Sequence, residues 1–315
     1  MTRRFNLTPM RLMPRGLTIS RPGRKERGNH IAVSPVCWGV SELRGWGPQL
    51  DAQRVLREIA SLGQTFIETG PSGFLPDRSV AARALLKRHG LRVVAGPVRA
   101  VLHHHDIRGS ELVHIDGHAA WLASLGAQTL VLTVIESRTD EPPGAGLSSS
   151  GWAHLLSAIG SVQHVCSLHK LRLAVQPRQG SMIQGPADIE RLLVGSEAGV
   201  SIDLGHLVVA GADPIEVVEL AAGRIHHVHV NDVDRRLADQ VRDGELDYAA
   251  AVGRGLYLPV GAGDAGVAGV LEALGRARYH GWYGLEADAR LKSVEDDPLE
   301  PVRASLEFMR TLLPA

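Results

Sequence analysis

From Ile31 onward one unit repeats along the chain: a short, wholly apolar, β-rich run and then a longer amphipathic one. The apolar runs are "IAVSPV" (31–36), "TFIET" (65–69), "LRVVAGPV" (91–98), "QTLVLTV" (128–134), "LRLAV" (171–175), "VSID" (200–203), "IHHVHV" (225–230) and "WYGLEA" (282–287). Helical patterning follows each in turn, at 51–63, 77–90, 111–125, 150–169, 186–194, 213–221, 265–277 and 298–312. Runs that are apolar on both sides, rather than alternating, belong to parallel strands covered on both faces. Asp51, Asp77 and Asp213 stand where helix N-caps are expected, and Gly90 and Gly126 where helices should stop. Eight such units in roughly 285 residues predict a single-domain α/β fold, a (β/α)8 TIM barrel over 30–315. A doubly wound open sheet would need a phosphate-binding glycine fingerprint after the first strand, and "PVCWGVSELRGWG" is not one.

Composition narrows the classes. Hydrophobic residues make up 44% and charged residues 22%, as in a soluble globular enzyme. The 34 basic residues balance the 34 acidic ones, so the basic footprint of a nucleic-acid partner is missing. No apolar run approaches the roughly 20 residues of a membrane span. Cys37 and Cys166 form neither a disulfide framework nor a metal-ligand spacing, which points to a reduced, cytoplasmic setting, with Cys37 read as a small buried thiol. Residues 1–28 carry eight basic residues against one acid, Glu26, and lack the apolar core of a secretory signal. They read as a disordered extension outside the fold.

In such a barrel the active site lies at the C-terminal ends of the strands. Those ends carry Cys37 and Trp38, Glu68, 103–106 ("HHHD"), Glu136, Gln176 and Arg178, Asp203 and His206, 229–232, and Glu286 with Asp288. One polar strand end, such as Asp203 in "GVSIDLGHLVVAG", is explained by a helix cap; a ring of them surrounds a ligand. Asp203, His229 and Glu286 end strands six, seven and eight, and mixed N/O ligation from neighbouring strands suits Mn²⁺, Co²⁺, Zn²⁺ or Mg²⁺. The alternative is a hydrogen-bonded polar network without metal. The strand period of two puts His227 and His229 on one side and His226 on the other. "HHHD" reads as a solvated loop rather than a second metal site. "GAGDAG" (261–266), leading into a helix, is a weak candidate for an anion site.

On "SPVCWGV", "GWGPQL", "ETGPSGFLP", "HGLRVVAGPVRAVLH", "DLGHLVVAGADP", "RIHHVHVNDV", "LPVGAGD" and "YHGWYGLEAD", the chain resembles the xylose-isomerase-like sugar phosphate isomerase/epimerase superfamily. Within it the chain is most similar to the inosose (2-keto-myo-inositol) dehydratase group, from about Ile31 to Leu313. The resemblance implies a divalent metal held by Gln176, Asp203, His229 and Glu286. It implies acid/base roles for Glu286, His206 and Glu68, and substrate contacts from Trp38, His103, Arg178, Asn231 and Asp232. The shared chemistry it implies is metal-assisted enolisation of a polyhydroxylated ketone, a cyclitol or sugar derivative.

The chain departs from that pattern on strand five. Family members usually carry Glu there, or a His-Pro-His-type run; here "AVQPRQGS" supplies Gln176 and Arg178. Asn231 likewise stands where a lysine is usual. An amide cannot hold a proton near neutral pH, so two-base epimerisation is disfavoured. Dehydration or one-base isomerisation remains, with His206 or Glu68 as the second acid/base group. Arg178 is expected either to hold an anionic group of the substrate or to pair with a neighbour such as Glu136. A sugar (phosphate) isomerase/epimerase, or a diverged member that binds a small molecule without metal, are the alternative functions. A DNA-repair endonuclease would need more ligands and a basic groove. The sequence leaves the assembly open, a homodimer or homotetramer included.

Overall fold

The computed structural model describes residues 30–106, 108–138 and 146–313; the basic segment 1–28 lies outside them. Each of the eight apolar runs forms a strand. In chain order these are β1 (Ile31–Val33), β2 (Phe66–Glu68), β3 (Arg92–Ala100), β4 (Thr129–Val134), β5 (Arg172–Val175), β6 (Gly199–Asp203), β7 (Ile225–Val230) and, after a detour, β10 (Tyr283–Leu285). They close into a barrel in the order β1-β10-β7-β6-β5-β4-β3-β2, every pair parallel. The expected (β/α)8 architecture is therefore the observed one. Parallel pairing throughout brings all the strand C-termini to one mouth, which places residues far apart in sequence on a single rim.

Helices α1 (Ala52–Ser61), α2 (Ser79–Arg88), α3 (Arg108–Leu125), α4 (Ser149–Leu168) and α5 (Pro186–Gly195) follow the first five strands. The sixth strand is followed by two, α6 (Leu204–Val209) and α7 (Pro214–Leu220), and the barrel closes with α10 (Val267–Arg276) and α11 (Leu299–Leu312). Asp51 caps α1 by accepting from the N–H groups of Gln53 and Arg54, and Asp213 caps α7 through Ile215. Asp77 does not cap: α2 begins one residue later than expected, and Arg78 occupies the capping position without a side-chain bond. Among the described residues no helix is long and apolar enough to cross a membrane.

Between β7 and β10 the chain makes an excursion that the apolar periodicity did not reveal. A two-stranded antiparallel ribbon, β8 (Asp232–Val233) and β9 (Tyr257–Leu258), brackets α8 (Arg235–Arg242) and α9 (Tyr248–Gly253). Asp232 organises its return. Its carboxylate accepts from the backbone N–H groups of Gly261 (2.9 Å), Gly263 (3.0 Å) and Ala265 (2.8 Å). A Cβ at position 263 would lie 2.6 Å from Asp232 Oδ1, so the close approach requires glycine. The donors of "GAGDAG" are thus taken by an internal carboxylate, which removes the reason to expect an external anion there.

Candidate active site

Asp203 closes β6 and opens α6, and its two oxygens divide the work. Oδ1 accepts from the backbone N–H of His206 (3.1 Å) and from Asn231 Nδ2 (3.0 Å). Oδ2 accepts from Gln176 Nε2 (2.9 Å) and lies 3.4 Å from His229 Nδ1. One oxygen is a helix cap and the other faces the barrel mouth, so the two readings of the strand end hold together. Asn231 also donates to the Glu286 backbone carbonyl (2.6 Å) and accepts the Gly205 N–H, tying the ends of β6, β7 and β10 to one another.

His229, on the inward side of β7, stands at the centre. Its Nδ1 lies 3.6 Å from Glu286 Oε1 and 3.1 Å from Gln176 Nε2. Ligand atoms of Asp203, His229 and Glu286 lie within 4.8 Å of one another, all three residues being buried. On the other side of the ring, Nε2 donates to the Glu68 carboxylate (3.1 and 3.2 Å), which also accepts from His227 Nε2 at 2.7 Å. Glu68 is 1% exposed, and a Cβ on Gly284 would reach within 2.2 Å of its Oε1, so Gly284 leaves the space the carboxylate fills. As expected, His227 and His229 share a side. His226 points away, its Nδ1 on the Leu173 carbonyl.

A carboxylate behind one imidazole nitrogen fixes the tautomer and leaves the other nitrogen free to ligate. Glu68→Gln is therefore expected to weaken Mn²⁺ binding by about 10- to 100-fold, as titration calorimetry would measure. Unchanged affinity would mean that Glu68 does not act on His229.

The electrostatics of this cluster call for positive charge. Burial would raise the Glu68 carboxyl, but His229 and His227 outweigh it and hold the group well below the usual carboxylate range. Asp203 is likewise held low against burial, chiefly by His229 and by the Asn231 hydrogen bond, since the buried His206 ring beside it is itself neutral. Burial pushes Glu286 up to about 7; His229 opposes the shift, and Glu68 and Asp203 add to it. Burial disfavours a charged His229 ring, yet Glu286, Glu68 and Asp203 hold its pKa well above the ordinary imidazole value. Two buried carboxylates, Asp203 and Glu286, beside His229 Nδ1 are a donor set that a divalent cation fits, with Glu68 behind the ring. Gln176, on the strand-five side, directs its NH₂ at Asp203 and His229 while its Oε1 meets Thr133 Oγ1 at 3.2 Å. A hydroxyl both donates and accepts, so Thr133 can serve the amide in either orientation.

Arg178 and His206 join the same mouth. Arg178 Nη2 donates to Asp288 Oδ2 (2.7 Å) and Nη1 lies 4.0 Å from Glu286 Oε1. The expected choice between a substrate anion and Glu136 thus meets a different partner, Asp288. His206 is 2% exposed, stacks on Tyr248, and lies 4.0 Å from Asp288 Oδ2. Burial and the Arg178 charge lower its pKa to about 4, so its ring is neutral.

Three expected site residues are not brought to the cluster. The Trp38 indole is fully buried and donates to Glu58 Oε2 on α1 (2.7 Å). The His103 ring packs on His104 and lies near Glu136 and His154. Asp232 is spent on the 261–265 loop. Cys37 accepts the Ala287 N–H and donates to the Leu285 carbonyl, and burial pushes its thiol far up, as suits a structural thiol. Tyr248, Tyr257 and Thr133 were not foreseen at all. The two tyrosines sit in the excursion, and Thr133 lies within an apolar strand with no flanking polar signal.

The xylose isomerase-like TIM barrel family model matches residues 56–312. The Geobacillus kaustophilus inosose dehydratase is 24% identical over 269 residues, covering 82% of this chain and 87% of that protein. The rhizopine catabolism protein MocC of Rhizobium meliloti is 26% identical over 266 residues, covering 82% of this chain and 81% of its own. Among solved structures, the 3-keto-D-glucoside 4-epimerase YcjR of E. coli superposes with a TM-score of 0.63 at 17% identity, over 90% of this chain and all of that one.

Proposed function

The chain belongs to the xylose isomerase-like TIM barrel family, and from that premise we propose that it is a divalent-metal-dependent lyase or isomerase acting by enolisation of a polyhydroxylated ketone, in the manner of an inosose dehydratase. The observation that carries this reading is the convergence of Asp203, His229 and Glu286 at the barrel mouth, with ligand atoms within 4.8 Å of one another. Inosose dehydratase among its relatives supports the dehydration outcome over the others.

Asp203, His229 and Glu286 would hold the ion, with Gln176 beside them. Bound there, a divalent ion supplies Lewis acidity toward a carbonyl oxygen. Glu68 keeps the His229 ring oriented through Nε2. Glu286, whose carboxylate ends the last barrel strand at this mouth, would take up the proton next to the carbonyl. Gln176 offers no base on the opposite face, which disfavours epimerisation through two carboxylates. His206, neutral and buried, is the second acid/base group. Its Nδ1 has no hydrogen-bond partner among the described residues and is available to a substrate hydroxyl.

The test is metal analysis of protein purified without chelators, together with turnover of 2-keto-myo-inositol. About one equivalent of metal, and activity lost to EDTA and restored by Mn²⁺ or Co²⁺, is the expected result. Less than about 0.1 equivalent, with no rescue, would make the protein a metal-free binder.

A further inference from the structure

Arg178, Asp288, Tyr248, Tyr257 and His206 form one polar group beside the proposed metal site. Asp288 Oδ2 accepts from Arg178 Nη2 at 2.7 Å and from the Tyr248 hydroxyl at 2.6 Å, and that hydroxyl meets Tyr257 Oη at 3.0 Å. Arg178 follows β5 and Asp288 follows β10. In the barrel order those strands are separated by β7 and β6, whose ends carry His229 and Asp203. The ion pair therefore spans the ends of the strands that hold the cluster. Asp288 is 7% exposed, whereas the Arg178 side chain keeps 26% of its surface, so the arginine is the member that solvent or substrate reaches.

We propose that Asp288 makes this mouth selective for neutral polyhydroxylated ligands, by neutralising an arginine that would otherwise hold a phosphate or carboxylate. The inference rests on the reading of the mouth as the substrate site. A guanidinium is well matched to oxyanions, and a free one at a sugar site would select them. Here its charge is already met by a buried carboxylate. An anionic ligand would have to displace Asp288, leaving that carboxylate buried without its cation, or bind next to Asp288 and Glu286 as a like charge. A neutral hydroxyl meets neither obstacle, because it donates and accepts at once. The described bonds to Asp288 go to Oδ2, which leaves Oδ1 to accept a substrate hydroxyl. His206 supplies a second acceptor: its Nδ1 is buried and has no partner among the described residues. The remaining Arg178 N–H groups supply donors, and Tyr257, whose O–H is spent on Tyr248, offers its oxygen as a further acceptor.

The experiment uses two probes, inorganic phosphate and myo-inositol, titrated calorimetrically into the full-length protein. Four proteins are compared: wild type, Asp288→Asn, Arg178→Met and the double variant. Asn keeps the shape and the hydrogen-bond acceptor but removes the charge. Asp288→Asn is expected to bind phosphate at least about tenfold more tightly than wild type, and to bind myo-inositol no more tightly. The double variant should lose the gain, which assigns it to Arg178 rather than to a bound metal. Asp288→Ser replaces Asp288→Asn if the latter does not fold. Wild type and Arg178→Met should bind phosphate equally weakly, a comparison that needs no Asp288 variant. Phosphate binding by wild type that disappears in Arg178→Met overturns the proposal, as does an Asp288 variant with unchanged phosphate affinity. Because these readouts follow Arg178, they separate from loss of the metal reading, which metal content alone decides.

Discussion

Asp203→Asn is expected to strip the protein of divalent metal and to lower turnover of its keto-polyol substrate by at least about 10³-fold, equivalent to about 4 kcal/mol of transition-state stabilisation. The substitution removes one of the two carboxylates that face His229 Nδ1, the oxygen being Oδ2. It spares the structural half of the residue. Asn caps helices about as well as Asp, and its Oδ1 can still accept from the His206 N–H and from Asn231. The fold should therefore survive, with the midpoint of thermal unfolding moved by only a few degrees. Metal content by plasma emission and turnover of 2-keto-myo-inositol are the measurements. A variant that retains about one equivalent of metal and activity within about tenfold of wild type would show that Asp203 serves only as a helix cap.

Gln176→Glu should produce effects of opposite sign with and without metal. The amide NH₂ now donates to Asp203 Oδ2 at 2.9 Å. A carboxylate in its place would set like charges against each other in a cluster that already holds Glu68, Asp203 and Glu286 buried. The metal-free variant should therefore unfold at lower temperature than metal-free wild type. With Mn²⁺ the new carboxylate becomes an additional charged ligand, and affinity should rise by about tenfold or more. It would also return a base to the second substrate face, so deuterium exchange from solvent into 2-keto-myo-inositol should quicken. The native reaction should fall, because a charge would enter a mouth arranged around an amide and Arg178. Unfolding midpoints with and without Mn²⁺, and exchange followed by NMR, read these outcomes. Unchanged affinity together with unchanged exchange would mean that Gln176 does not act on the ion.

The barrel was legible because each strand is buried on both faces and so writes a continuous apolar run, while the amphipathic helices between carry a different period. Much of the cluster followed from the barrel, since parallel strands deliver their C-termini to one rim. Gln176, Asp203, His206, His229 and Glu286 all meet there. What stayed hidden depends on partners chosen across space. Arg178 pairs with Asp288, 110 residues away, rather than with Glu136 on the adjacent strand end. Asp232 is polar and next to the rim, yet it is consumed by three backbone N–H groups of a loop whose return path no periodicity marks. Trp38 follows β1 as expected, but its indole finds Glu58 on α1. Glu68 is expected as an acid/base group of the pocket, but only the fold shows that its carboxylate sits behind His229, under Gly284. Tyr248 and Tyr257 come from the excursion between β7 and β10, where short elements leave no strong pattern.

The measurement that tests the central claim most directly is anomalous scattering from crystals soaked in Mn²⁺. The account predicts one strong peak bounded by Asp203 Oδ2, His229 Nδ1 and Glu286 Oε1, about 2.0–2.3 Å from each, and its absence in Asp203→Asn crystals. A peak on the other side of the imidazole, between Glu68 and His227, or no peak within reach of Asp203 and Glu286, would contradict it.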